Sequence, residues 1–116
     1  MRHRTQRYPF VAGIQVAALD ADARIDAHTE DISLLGCFVE TLEPFVNGTR
    51  VRVRIWHEGA VFSARGRVVH SRERTGMGIR FTEIEPSSMP ILDAWLTELR
   101  EHTESQSSSR AAARHV

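Results

Sequence analysis

The chain has no lysine. All 15 of its basic side chains are Arg, and 15 carboxylates bring the formal net charge to zero. That balance excludes the strong one-signed field by which basic proteins gather on nucleic acid or anionic lipid. A GC-rich genome is the default reason for using only Arg, yet Arg is also the side chain suited to bidentate phosphate and guanine contacts. Cysteine occurs once, at Cys37, which excludes an internal disulfide and agrees with a reducing compartment. Aromatics make up 7% of the chain, few for a surface that stacks single-stranded bases. No apolar run approaches the ~20 residues of a membrane-spanning helix. The basic N-terminus leads into Thr5-Gln6-Arg7-Tyr8 with no apolar signal core. A cytoplasmic protein with no membrane insertion is expected. The six His residues show no metal-ligand spacing, and Cys37 beside Phe38 reads as a small buried hydrophobe. No metal, no cofactor and no catalytic residue is expected, so the chain does not read as an enzyme.

What is present is a series of short strand signals followed by one helix. At 116 residues the chain is one domain with a modest core. Residues 1–8 form an Arg-rich arm. Phe10–Leu19 reads as a strand with a bulge at Gly13, and Asp20–Ala23 as a turn. Arg24–Glu30 alternates with period two, so these two strands make a hairpin. Cys37–Thr41 is a short strand, and Asn47-Gly48 is a turn. Thr49–His57 alternates Val51, Val53 and Ile55 against Arg50, Arg52 and Arg54, which puts the three Arg on a solvated face. Glu58-Gly59 turns into a long strand over Ala60–Ser71, and Gly76–Phe81 is the last strand. This spacing predicts a small antiparallel barrel or sandwich. Ser87 or Ser88 is then an N-cap, and Ile91, Leu92, Trp95, Leu96 and Leu99 form a helical stripe that packs on the barrel or over one open end. Residues 103–116 carry no apolar period and read as a disordered tail.

Between the second and third strands lies Asp31-Ile32-Ser33-Leu34-Leu35-Gly36. In an extended backbone Asp31 and Ser33 share a face. The carboxylate can accept from the N1–H and N2–H of a guanine, the hydroxyl can donate to a phosphate or carbonyl, and Gly36 lets a flat ligand approach closely. The competing reading of the same six residues is a Ser/Asp turn closed by glycine.

An Arg-rich N-terminal segment, Asp-x-Ser-x-x-Gly, Cys37-Phe38-Val39-Glu40-Thr41, Gly66–His70, Gly76-Met77-Gly78-Ile79-Arg80-Phe81 and one C-terminal helix follow in that order. Together they resemble a PilZ domain, the bacterial receptor module for cyclic di-GMP, over residues 1–101. The resemblance implies a mainly β fold: a six-stranded antiparallel PilZ-type β-barrel over 9–102 with one C-terminal α-helix. It implies cyclic di-GMP on the outer barrel surface, between the arm and the hexapeptide. Asp31, Ser33 and Gly36 carry over directly. Arg7 closes the family's Arg-x-x-x-Arg motif, but His3 stands where its first Arg belongs. Arg4 or Arg2 would then supply the second guanidinium. His70 falls where the family often has an aromatic bordering the ligand. The implied function is a receptor, monomeric or weakly dimeric, that changes conformation on binding and signals to an unidentified downstream protein in motility, exopolysaccharide production or attachment. The alternative is a PilZ-like interaction module that does not bind the nucleotide. An RNA-binding barrel using Arg50, Arg52 and Arg54 is the rival outside the family, and no nucleic-acid polymer is expected as partner.

Overall fold

The computed structural model describes residues 5–114, with side chains through residue 104. Seven strands follow one another: β1 (Tyr8–Pro9), β2 (Gly13–Ala18), β3 (Arg24–Ile32), β4 (Gly36–Glu40), β5 (Arg50–His57), β6 (Ala60–Arg72) and β7 (Gly76–Ile84). A 3-10 turn, Pro86–Ser88, leads into α1 (Met89–Arg114). All pairings are antiparallel. β3, β2, β5, β6, β7 and β4 are neighbours in that order, and β4 also pairs with β3, which closes six strands into a barrel. The two-residue β1 lies outside that ring, with Tyr8 opposite Ile32 and Pro9 opposite Asp31.

Period-two patterning sets which side chains fill the barrel. Val51, Val53 and Ile55 are fully buried while Arg50, Arg52 and Arg54 are exposed, as the alternation predicts. Glu58 and Gly59 both adopt positive φ, 49° and 80°, the geometry of a two-residue hairpin turn. At the end of the barrel where β5 finishes and β6 begins, α1 closes the core with Leu92 and Trp95. The Trp95 ring lies 5.4 Å from Phe10 and 6.2 Å from Phe62, centroid to centroid.

Three sequence expectations change. First, the strand predicted from Phe10 begins at Gly13. Phe10 to Ala12 is held instead by the buried Thr29 hydroxyl, which donates to the Phe10 carbonyl at 2.5 Å and accepts from Ala12 N–H at 3.0 Å. Second, neither serine caps α1. The 3-10 turn has no side-chain cap, and the Ser88 hydroxyl accepts from Ser63 N–H at 2.9 Å, tying the helix entrance to β6. Third, α1 runs to Arg114, through the segment read as a disordered tail from Thr103. That segment contains no Gly or Pro and ends in an Ala-rich run. Helix propensity continues there after the apolar stripe stops.

Candidate ligand-binding site

The hexapeptide forms the tip of the β3–β4 hairpin, and it turns sooner than an extended reading assumes. β3 ends at Ile32, and the chain reverses over the next residues. The Ser33 hydroxyl accepts from Leu35 N–H at 3.1 Å and from Gly36 N–H at 3.2 Å, while Ser33 N–H donates to the Gly36 carbonyl at 2.8 Å. Ser33 is 2% exposed. It therefore does not share an outward face with Asp31, and its hydroxyl is engaged in building the turn. Leu34 and Leu35 are left exposed at the tip.

Asp31 lies at the outer edge of the same hairpin. Its Oδ1 accepts from Phe38 N–H at 3.1 Å and from Arg7 Nη2 at 2.6 Å. Strand β1 makes this possible: pairing Pro9 with Asp31 delivers the end of the arm onto the hairpin. Both partners of the ion pair keep solvent contact, with side chains 52% and 30% exposed. Such a pair is worth at most ~1 kcal/mol, so an incoming anion or base can displace either group.

Beside this pair opens a cleft of about 210 Å³, lined by Arg7, Leu35, Gly36, Cys37, Val69, Gly78, Ile79 and Arg80. Gly36 is there because β4 and β7 approach closely. A Cβ at that position would lie 2.0 Å from the Ile79 carbonyl oxygen. Arg7 and Arg80 bring two guanidinium groups to the cleft from different parts of the chain. Cys37 is 1% exposed. Burial pushes its thiol up to about 12, the nearby Asp31 charge adds to the rise, and Arg7 opposes it. The thiol is thus protonated near neutrality and poorly nucleophilic. Among the described residues no group of three or more His, Cys, Asp and Glu is placed to hold a metal ion. No helix among them is long and apolar enough to cross a membrane.

The structure thus brings Arg7, Asp31 and Gly36 together and leaves Ser33 beneath them as the turn former. Arg2 and Arg4 lie outside the described residues. Two cleft residues escape sequence reasoning. Arg80 sits in a recognised strand, but only the long-range register Gly36↔Arg80 shows that it meets the hairpin. Val69 lines the cleft in place of the anticipated His70, because it continues the outward-facing set of Val61, Arg65 and Arg67 along β6 and is 53% exposed.

A closed six-stranded barrel, plugged by a C-terminal helix and carrying on its outside a largely apolar cleft flanked by Arg7 and Arg80, is the architecture of a small surface-binding domain. The PilZ domain family model matches residues 1–98, and the chain belongs to that family, one of ligand-binding receptor domains rather than known enzymes. Solved structures share the fold. The PilZ domain with c-di-GMP of YcgR from Escherichia coli aligns over 93% of this chain and 98% of its own, with 18% identity and a TM-score of 0.70. YcgR in complex with c-di-GMP from Escherichia coli aligns over 94% of this chain and 50% of its own, with 20% identity and a TM-score of 0.72. The Bacillus subtilis inhibitor of motility MotI/DgrA aligns over 95% and 54%, with 18% identity and a TM-score of 0.65. No curated protein sequence matches the chain.

Proposed function

We propose that this chain is a cyclic di-GMP receptor that changes conformation on binding and passes the signal to a partner protein. The observation that carries the reading is the Arg7–Asp31 pair beside the outer cleft. It is supported by the two similar structures that contain c-di-GMP. The ligand offers two phosphates and two guanines. Arg7 meets a phosphate or the N7/O6 edge of a guanine, and Asp31 accepts from a guanine N1–H and N2–H. Charge-assisted hydrogen bonds of this kind contribute ~1.5–3 kcal/mol each, enough to replace an exposed ion pair. Gly36 leaves the cleft floor open, and Ser33 acts by holding the turn that presents Asp31. On sequence grounds Arg2 and Arg4 supply further guanidinium groups from the arm.

The cleft is smaller than the ~300–1,000 Å³ of usual ligand pockets, so the nucleotide lies across it on the outer surface. Binding draws Arg7 away from Asp31 and onto the ligand, which moves the end of the arm and is the switch. The setting is cytoplasmic, the chain acts as monomer or weak dimer, and motility, exopolysaccharide production or attachment are the outputs in view. The test is a thermal-shift and titration series with cyclic di-GMP on wild type, Arg7→Ala and Asp31→Ala. Ligand stabilises wild type and each variant loses at least about tenfold in affinity. Equal binding by all three refutes this site. No binding by wild type leaves the chain as a nucleotide-independent interaction module.

A further inference from the structure

The outer face of β5, β6 and β7 carries a grid of arginines in an arrangement that folding alone does not favour. Register sets Arg50 opposite Arg67, and Arg67 opposite Arg80. It also sets Arg52 opposite Arg65. All five are exposed, as is Arg54. Like charges directly opposite one another destabilise a sheet. Counter-ions are few: Arg50 pairs with Asp20, Arg65 approaches Glu83 at 3.9 Å, and Arg52, Arg54, Arg67 and Arg80 form no ion pair among the described residues. The chain has as many carboxylates as arginines, but apart from Asp20 and Glu83 many sit elsewhere, including Asp26 and Glu30 on β3 and Asp93, Glu98 and Glu101 on α1.

Along the same face the arginines give way to an apolar end. Trp56 and Val61 are cross-strand partners, 42% and 39% exposed. A Trp beside several Arg, with no Lys, is the composition that concentrates binding energy at protein–protein interfaces. One exposed Trp is too little for single-stranded nucleic acid, which needs successive rings on which bases stack. From Arg50 to Trp56 the patch spans ~20 Å along β5, and ~10 Å across the three strands. That is the footprint of a weak, transient contact.

We infer that this face is the docking surface for an acidic segment of a partner protein, its carboxylates paired with Arg52, Arg54, Arg65 and Arg67 and an apolar side chain seated on Trp56 and Val61. The inference names the partner chemistry for the receptor reading above, and rests on that reading only in that the signal passes to a protein. Because Arg80 lies both in this grid and in the cleft, ligand and partner share an edge.

The test uses a fluorescein-labelled peptide of about twelve residues, rich in Asp and Glu with one central Leu, and an oligothymidylate of equal length. Anisotropy is read against the whole chain at about 50 mM and about 300 mM salt. Wild type binds the peptide, more weakly at high salt. The double variant Arg52→Glu/Arg54→Glu loses at least about tenfold and Trp56→Ala at least about threefold, while cyclic di-GMP binding by the double variant is unchanged. The inference is overturned if wild type fails to bind the peptide at low salt, if the double variant binds it equally, or if the oligothymidylate binds more tightly than the peptide. Loss of the receptor reading shows separately, as failure of wild type to bind cyclic di-GMP whatever the peptide does.

Discussion

Gly36→Ala separates two explanations of the glycine that ends the hexapeptide. One gives it to the ligand, as room for a flat base; the other gives it to the barrel. The added Cβ would stand 2.0 Å from the Ile79 carbonyl oxygen and 3.1 Å from Arg80 Cα. Carbon–oxygen contacts settle at ~3.3 Å or more, so β4 and β7 must part by over an ångström, and both neighbours are backbone. Overpacking of this kind costs ~1–3 kcal/mol. The Phe81 N–H to Leu35 carbonyl bond, 2.8 Å long, lies beside the strained point, and losing it adds ~1 kcal/mol. A total of ~2–4 kcal/mol is a large part of a small domain's stability. At ~4–8 °C per kcal/mol the melting temperature falls by more than ~8 °C, read by near-ultraviolet circular dichroism of the buried Trp95. A variant that melts within ~2 °C of wild type yet loses cyclic di-GMP refutes the packing argument and returns Gly36 to the ligand.

Other outcomes follow from the same geometry. Ser33→Ala leaves the Leu35 and Gly36 N–H groups without their hydroxyl partner and lowers stability by ~1–3 kcal/mol in denaturant titration, with ligand affinity falling because Asp31 is presented less firmly. Arg52→Glu sets opposite charges where Arg52 and Arg65 now face each other, so it raises stability by ~0.2–1 kcal/mol; a lower denaturation midpoint contradicts the like-charge register. Cys37 stays unreactive toward a thiol reagent at about pH 8 in the folded protein and reacts at once when unfolded. Its folded pKa, about 12, lies above the ordinary thiol value of 9.0, so the unfolded chain releases this proton first. The associated stability is present below about pH 9 and declines by at most ~1.4 kcal/mol per pH unit above it; Cys37→Ala flattens that decline.

Local pattern carried most of the fold. The alternation in Arg50–His57 predicted both faces of β5, and Glu58-Gly59 marked its turn, because each depends on neighbours in sequence. The start of β2 was not legible, since a buried hydroxyl from Thr29, seventeen residues beyond Ala12, fixes the preceding segment. The site was legible in its composition and only partly in its geometry. The ion pair between Arg7 and Asp31 was not specified by the resemblance, and the inward turn of Ser33 and the place of Val69 rather than His70 in the cleft depend on how distant strands lie against one another. Arg80 shows the limit most clearly. Nothing near it in sequence indicates that β4 will lie alongside.

The most direct test of the receptor reading is calorimetric titration of the whole chain with cyclic di-GMP, with GMP as control. The account predicts saturable binding at micromolar concentrations or tighter, no heat from GMP, and loss of the signal in Arg7→Ala. An absence of heat and of thermal stabilisation at high ligand, from a chain shown to be folded, would contradict it.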